Sequence, residues 1–135
     1  MSSPSQEVVA QLREVLRARH DVELALLFGS FARGQETERS DLDVAVHAPG
    51  VDLLELGARL VDATSREVDL IPLEDADIPL REELVRDAFV LHERRPGAAT
   101  RWRFHAMLEL ETDGPWYRRM RDAFLARLAA RPDAR

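Results

Sequence analysis

The chain has 135 residues, of which 45% are hydrophobic and 33% charged, with a net charge of −6. That is the composition of one globular domain able to bury a single core. It has no Cys and no Lys, and all nineteen basic residues are Arg. Disulfides, thiol nucleophiles, thiolate metal sites, the P-loop lysine and Schiff-base chemistry are therefore excluded.

Charge is unevenly spread: residues 1–95 carry a net −9 and residues 96–135 a net +3. A chain this acidic is a poor general binder of nucleic acid, whose affinity comes from neutralised phosphates. No apolar run approaches the roughly 18 residues of a membrane span. The first residues lack the basic and apolar regions of a secretory signal, so the expected location is the cytoplasm.

In chain order, Ser5 is placed to cap a helix to about Arg19, with Val8, Val9, Leu12, Val15 and Leu16 on one face. Val22–Phe28 reads as a strand buried on both sides. Gly29-Ser30 breaks it, and Phe31–Gly34 reads as one or two helical turns. Gln35–Ser40 is polar loop, and Asp41–His47 is a second strand. Asp52 can cap a helix whose inner face is Leu53, Leu56, Leu60 and Ala63. Val68–Ile71 is a short third strand ending near Pro72, followed by a loop over Leu73–Pro79. Leu80–Ala88 reads as a helix and Phe89–His92 as a fourth strand.

Glu93–Gly97 is the clearest internal boundary. Beyond it lies one long helix, or two (Ala98 to about Glu111, Pro115 to about Ala130) hinged at Asp113-Gly114-Pro115. The order predicts an α/β or α+β domain with a small sheet flanked by helices and a helical C-terminal tail. Residues 1–95 form its core, and residues 96–135 an extension packed on the same domain.

The chemistry concentrates in two strands and a turn. Residues i and i+2 of a strand face the same way with Cα atoms roughly 6.5–7 Å apart, so Asp41 and Asp43 share a face. Paired carboxylates repel unless a cation lies between them. Mg²⁺ suits the pair, because it takes one or two carboxylates with water and substrate phosphates. Asp69, alone in the apolar run Val68-Asp69-Leu70, offers a third carboxylate. Three such groups can hold two ions about 3.5–4 Å apart for phosphoryl or nucleotidyl transfer. Asp69 can also accept a proton from an attacking hydroxyl. Glu67 shares its face at the strand's mouth and ranks behind it.

Gly29 lets the backbone approach a phosphate, and Ser30 opens a short helix with free N–H groups and adds a hydroxyl. Arg33, one turn on, can neutralise further charge. Taken singly, each of these is a common surface feature. Together, the ten residues between Ser30 and Asp41 and the third acid about 25 residues on point to one site.

These residues resemble the nucleotidyltransferase superfamily related to DNA polymerase beta. The fuller runs Phe28-Gly29-Ser30-Phe31-Ala32-Arg33-Gly34 and Ser40-Asp41-Leu42-Asp43 are similar to its minimal nucleotidyltransferase (MNT) subgroup, as is Val68-Asp69-Leu70 through Glu93. The resemblance covers about residues 5–95, and within the subgroup it is to MntA-like antitoxins encoded beside a HEPN-domain ribonuclease toxin. It implies the nucleotidyltransferase fold with a small mixed β-sheet, and transfer of AMP from ATP to a tyrosine of the toxin. It further implies that Asp41 and Asp43 bind Mg²⁺, with two ions in the site, and that Asp69 completes the site or acts as base. Gly29 and Ser30 would hold the triphosphate, and Arg33 matches the subgroup. An antitoxin acting by binding alone and a small-molecule, aminoglycoside-type nucleotidyltransferase are the alternatives.

His20, His47, His92 and His105 have no metal-ligand spacing. Trp102, Phe104, Trp116, Tyr117 and Phe124 are expected in the core on their helical spacing. Aromatics and Arg also concentrate where partners meet, and the aromatic tail is the segment expected to contact the toxin.

Overall fold

The computed structural model describes residues 4–35 and 41–130. Ser40 and most of the loop expected over Gln35–Ser40 lie outside the described residues.

The elements follow in the order α1 (Gln6–Arg17), β1 (Leu24–Phe28), α2 (Gly29–Ala32), β2 (Leu42–His47), α3 (Leu53–Thr64), β3 (Val68–Pro72), a 3₁₀ turn (Leu73–Asp75), α4 (Ile78–Asp87), β4 (Phe89–Glu93) and α5 (Ala98–Ala129). The sheet has the strand order β3-β2-β1-β4. β1 pairs antiparallel with both β2 and β4, while β2 and β3 run parallel across the α3 crossover. The sheet is therefore small and mixed, as expected.

All five residues of β1 are buried, because the strand is central and covered on both faces. One face, with Ala25, Leu27, Val44 and Val46, packs against Leu12 and Leu16 of α1 and Leu56 and Leu60 of α3. The other, with Leu24, Leu26, Phe28 and Ala45, packs against Leu84 of α4 and Ala99 of α5. The edge of β4 is shielded by Arg13, which donates from Nε to the Leu91 carbonyl at 3.0 Å and from Nη2 to the Val90 carbonyl at 2.9 Å.

Side-chain caps start α3 and α4. Asp52 accepts from the N–H groups of Leu54 and Glu55 at 3.0 and 3.2 Å. Asp77 accepts from Leu80 N–H at 2.9 Å, so α4 begins at Ile78 and takes in Pro79, which the loop expected over Leu73–Pro79 had left outside. Ser5 stands at the start of α1 but makes no side-chain cap; its carbonyl accepts from Val9 N–H instead. The inner face of α3 closes with Thr64 rather than Ala63, and the Thr64 hydroxyl donates to the Leu60 carbonyl at 2.8 Å.

The tail is one helix of 32 residues running through Pro115, not a hinged pair. Its first half packs on α4 and β4, burying Ala99 and Ala106. The aromatic residues do not all join the core as expected. Trp102 packs against the second cluster, but Phe104, Trp116 and Phe124 are exposed. Among the described residues, no helix is long and apolar enough to cross a membrane.

Candidate active site

β1 ends at Phe28, and Gly29 turns the chain into α2 with φ +77°, a conformation that a side chain disfavours. Phe28 pairs with Asp43 across the antiparallel β1–β2 ladder, and Asp43 pairs with Asp69 across the parallel β2–β3 ladder. Three strand positions thus stand side by side at one end of the sheet. Alternation puts Asp43 on the same face as Ala45, away from α1 and α3, and leaves Leu42 and Val44 to the core.

Gly29 lies directly against Asp43. A Cβ built on Gly29 would overlap Oδ2 of Asp43 and come within 3.2 Å of its Cγ. The short α2 that follows carries Ser30, and the Ser30 carbonyl accepts from Gln35 N–H at 2.9 Å, tying the turn down. Arg33 ends α2 and reaches Glu83 of α4, with Nη1 3.4 Å from Oε2.

The electrostatics show which groups converge. The Asp43 carboxyl is raised above its ordinary value by burial first, then by the charges of Asp69, Asp41 and Glu83; Arg33 opposes the shift. The charges of Asp41, Asp69, Glu83 and Arg33 therefore all reach Asp43. Asp41 and Asp69 are exposed and Asp43 half-buried, so the acids line an open surface rather than a closed cavity. Glu67 contributes through its backbone, its carbonyl accepting from Leu42 N–H at 2.9 Å.

The donor set fits a hard divalent cation. Among the described residues, no three His, Cys, Asp or Glu side chains are drawn together into a ready-made metal shell. Mg²⁺ needs no such shell, because water and substrate phosphates supply its remaining ligands. The excess negative charge that raises Asp43 is what a cation would relieve.

Glu83 was not among the site residues read from the sequence. It reads there as one acid of a solvated helix, and its link to Arg33, fifty residues away, exists only because Leu84 beside it docks α4 on the sheet. One local hint was present: Leu80 and Leu84 mark the inward face, and Glu83 lies at its rim.

A glycine turn held against in-register carboxylates at the end of a small mixed sheet is the arrangement of a nucleotidyltransferase. The polymerase beta nucleotidyltransferase family matches residues 10–96, and the chain belongs to it. Among relatives, a protein of Methanocaldococcus jannaschii provisionally named a protein adenylyltransferase is 28% identical over 94 residues, 65% of this chain and 94% of that one. Protein adenylyltransferase MntA of Shewanella oneidensis is 34% identical over 68 residues, 47% of this chain and 49% of that protein.

Two solved structures share the fold. A chain of a toxin–antitoxin complex with AMP-PNP superposes with a TM-score of 0.68 at 23% identity, covering 86% of this chain and 98% of that one. A chain from the complex of the tri-AMPylated Shewanella oneidensis HEPN toxin with its MNT antitoxin gives 0.67 at 23% identity, with 93% and 98% covered.

Proposed function

We propose that this protein is an antitoxin that transfers AMP from ATP to a tyrosine of a cognate HEPN-domain toxin, in an Mg²⁺-dependent reaction in the cytoplasm. The observation that carries this reading is the contact of Gly29 with Asp43, with Asp69 in register on the next strand. It joins a glycine turn, whose backbone can approach a phosphate closely, to a cluster of carboxylates. The names of the relatives and the AMPylated toxin of a structural neighbour support a HEPN-domain toxin as the acceptor.

In this reading the backbone N–H groups at Gly29 and Ser30 and the Ser30 hydroxyl hold the triphosphate, with Arg33 adding positive charge beside it. Asp41, Asp43 and Asp69 hold Mg²⁺, which when bound supplies charge neutralisation on the phosphoryl oxygens. The tyrosine oxygen attacks the α-phosphorus. An O–P bond forms to AMP, the bond to pyrophosphate breaks, and Asp69 accepts the tyrosine proton. Residues 1–95 are the reacting core, and the C-terminal helix is an extension of the same domain.

ATP labelled at the α-phosphate tests this directly. With the toxin and Mg²⁺ present, label passes to the toxin, while label at the γ-phosphate leaves as pyrophosphate. Toxin that is neutralised without taking up label would instead mark an antitoxin that acts by binding alone.

A further inference from the structure

The C-terminal helix outruns the domain on which it packs. Its inward face runs through Trp102, Ala106, Leu110 and Gly114, and α4 covers it as far as Arg118, whose Nη1 lies 3.4 Å from Glu82. The same stripe continues at helical spacing as Met120, Phe124 and Leu128. These three are 50%, 57% and 39% exposed, and nothing among the described residues covers them. Apolar side chains lined up on one helix face and left in water mark a docking surface.

We propose that this overhang docks an acidic helix of the protein that receives AMP, an inference that rests on the function proposed above. Spacings of four residues keep the three side chains on one helix face, which can lie against another helix. The charge on the overhang selects which one: Arg118, Arg119, Arg121 and Arg127 stand against a single acid, Asp122, between residues 116 and 129. Two copies of this chain pairing here would set like charges together, whereas an acidic helix is complementary. The position also suits the chemistry. Glu82 pairs with Arg118 at the base of the overhang, and the next residue, Glu83, pairs with Arg33 beside Asp43. The base of the overhang is therefore anchored on α4 one residue from the Glu83 that reaches Arg33.

The test uses the full chain and the HEPN-domain toxin encoded in its own genome. Met120→Asp with Phe124→Asp should leave the domain folded, since both side chains are already exposed. It should weaken toxin binding by at least about 30-fold, lower AMP transfer in proportion, and leave ATP binding unchanged. Arg119→Glu with Arg127→Glu should weaken binding by about 10-fold, with a loss that shrinks as salt rises. Wild-type affinity in the apolar double variant would overturn the docking site. So would a dimer of the isolated chain that this variant splits, which would assign the stripe to a second copy. Charge reversal without effect would overturn the acidic partner. A wild-type chain that neither binds nor modifies the toxin overturns the proposed function itself, whereas normal transfer by the Asp variant overturns the docking surface alone.

Discussion

Gly29 and Asp43 occupy one another's space: Asp43 Oδ2 stands where a Cβ on residue 29 would be, and the Gly29 φ of +77° is one that side chains resist. The glycine is thus required twice, by its own backbone and by its neighbour across the ladder. Gly29→Ala should destabilise the fold by about 1–2 kcal/mol through the left-handed backbone alone. It should also displace the Asp43 carboxylate and lower AMP transfer by about 100-fold or more. Thermal unfolding and single-turnover transfer read the two effects separately.

Asp43 itself weakens the fold. Its carboxyl is raised by burial and by Asp69, Asp41 and Glu83, so the native state holds that proton more tightly than the unfolded chain does. Stability therefore falls as pH rises from the unfolded value of 3.8 through the higher native one, and stays lowered at neutral pH. Asp43→Asn should abolish transfer yet melt a few degrees higher at pH 7, on the order of 2–4 °C. The difference should vanish below about pH 4. Millimolar Mg²⁺ with ATP should raise the melting temperature of the wild type and not of this variant. Melting curves across pH, with and without Mg²⁺ and ATP, check all three.

The Arg33–Glu83 pair has side chains 38% and 29% exposed, and a pair that wet adds little to stability. Its influence should fall on the nucleotide. Arg33→Ala should raise KM for ATP by about 10-fold with kcat little changed, the mark of lost binding rather than lost transition-state contact. Glu83→Gln should shift KM by a smaller factor and leave the melting temperature within about 1 °C. Steady-state kinetics with ATP as the varied substrate separates the two.

Glu93 ties the last helix to the sheet. Gly97 precedes α5 and offers no capping side chain, so Glu93 accepts from Ala99 N–H at 2.9 Å and from Gly97 N–H at 3.3 Å. The Ala99 bond above all holds the Glu93 carboxyl below its ordinary value. Its contribution is thus present above the unfolded value of 4.5 and lost as pH falls through the lower native one. Glu93→Ala should cost about 1 kcal/mol at pH 7, and the gap should close in acid. Thermal unfolding at the two pH values reads it.

How much of this was legible in the sequence depends on the range of the interaction. β1 was readable because a strand buried on both faces has to be apolar throughout, and Leu24–Phe28 is. The convergence of Gly29, Asp41, Asp43 and Asp69 was readable because strand alternation and a one-helix crossover fix it locally. Glu83 was not, since only the docking of α4 brings it to Arg33. Residues 116–128 misled because helical spacing looks alike whether a face meets its own core or a partner. The length of α5, not its pattern, leaves Phe124 in water.

The central claim is that the toxin is modified rather than merely covered. Intact-mass analysis of the HEPN-domain toxin after incubation with this protein, ATP and Mg²⁺ tests it most directly. The prediction is a gain of one or more AMP groups on tyrosine that disappears with Asp41→Asn and Asp43→Asn together. Toxin silenced equally by the wild type and that double variant, with no change in mass, would contradict it.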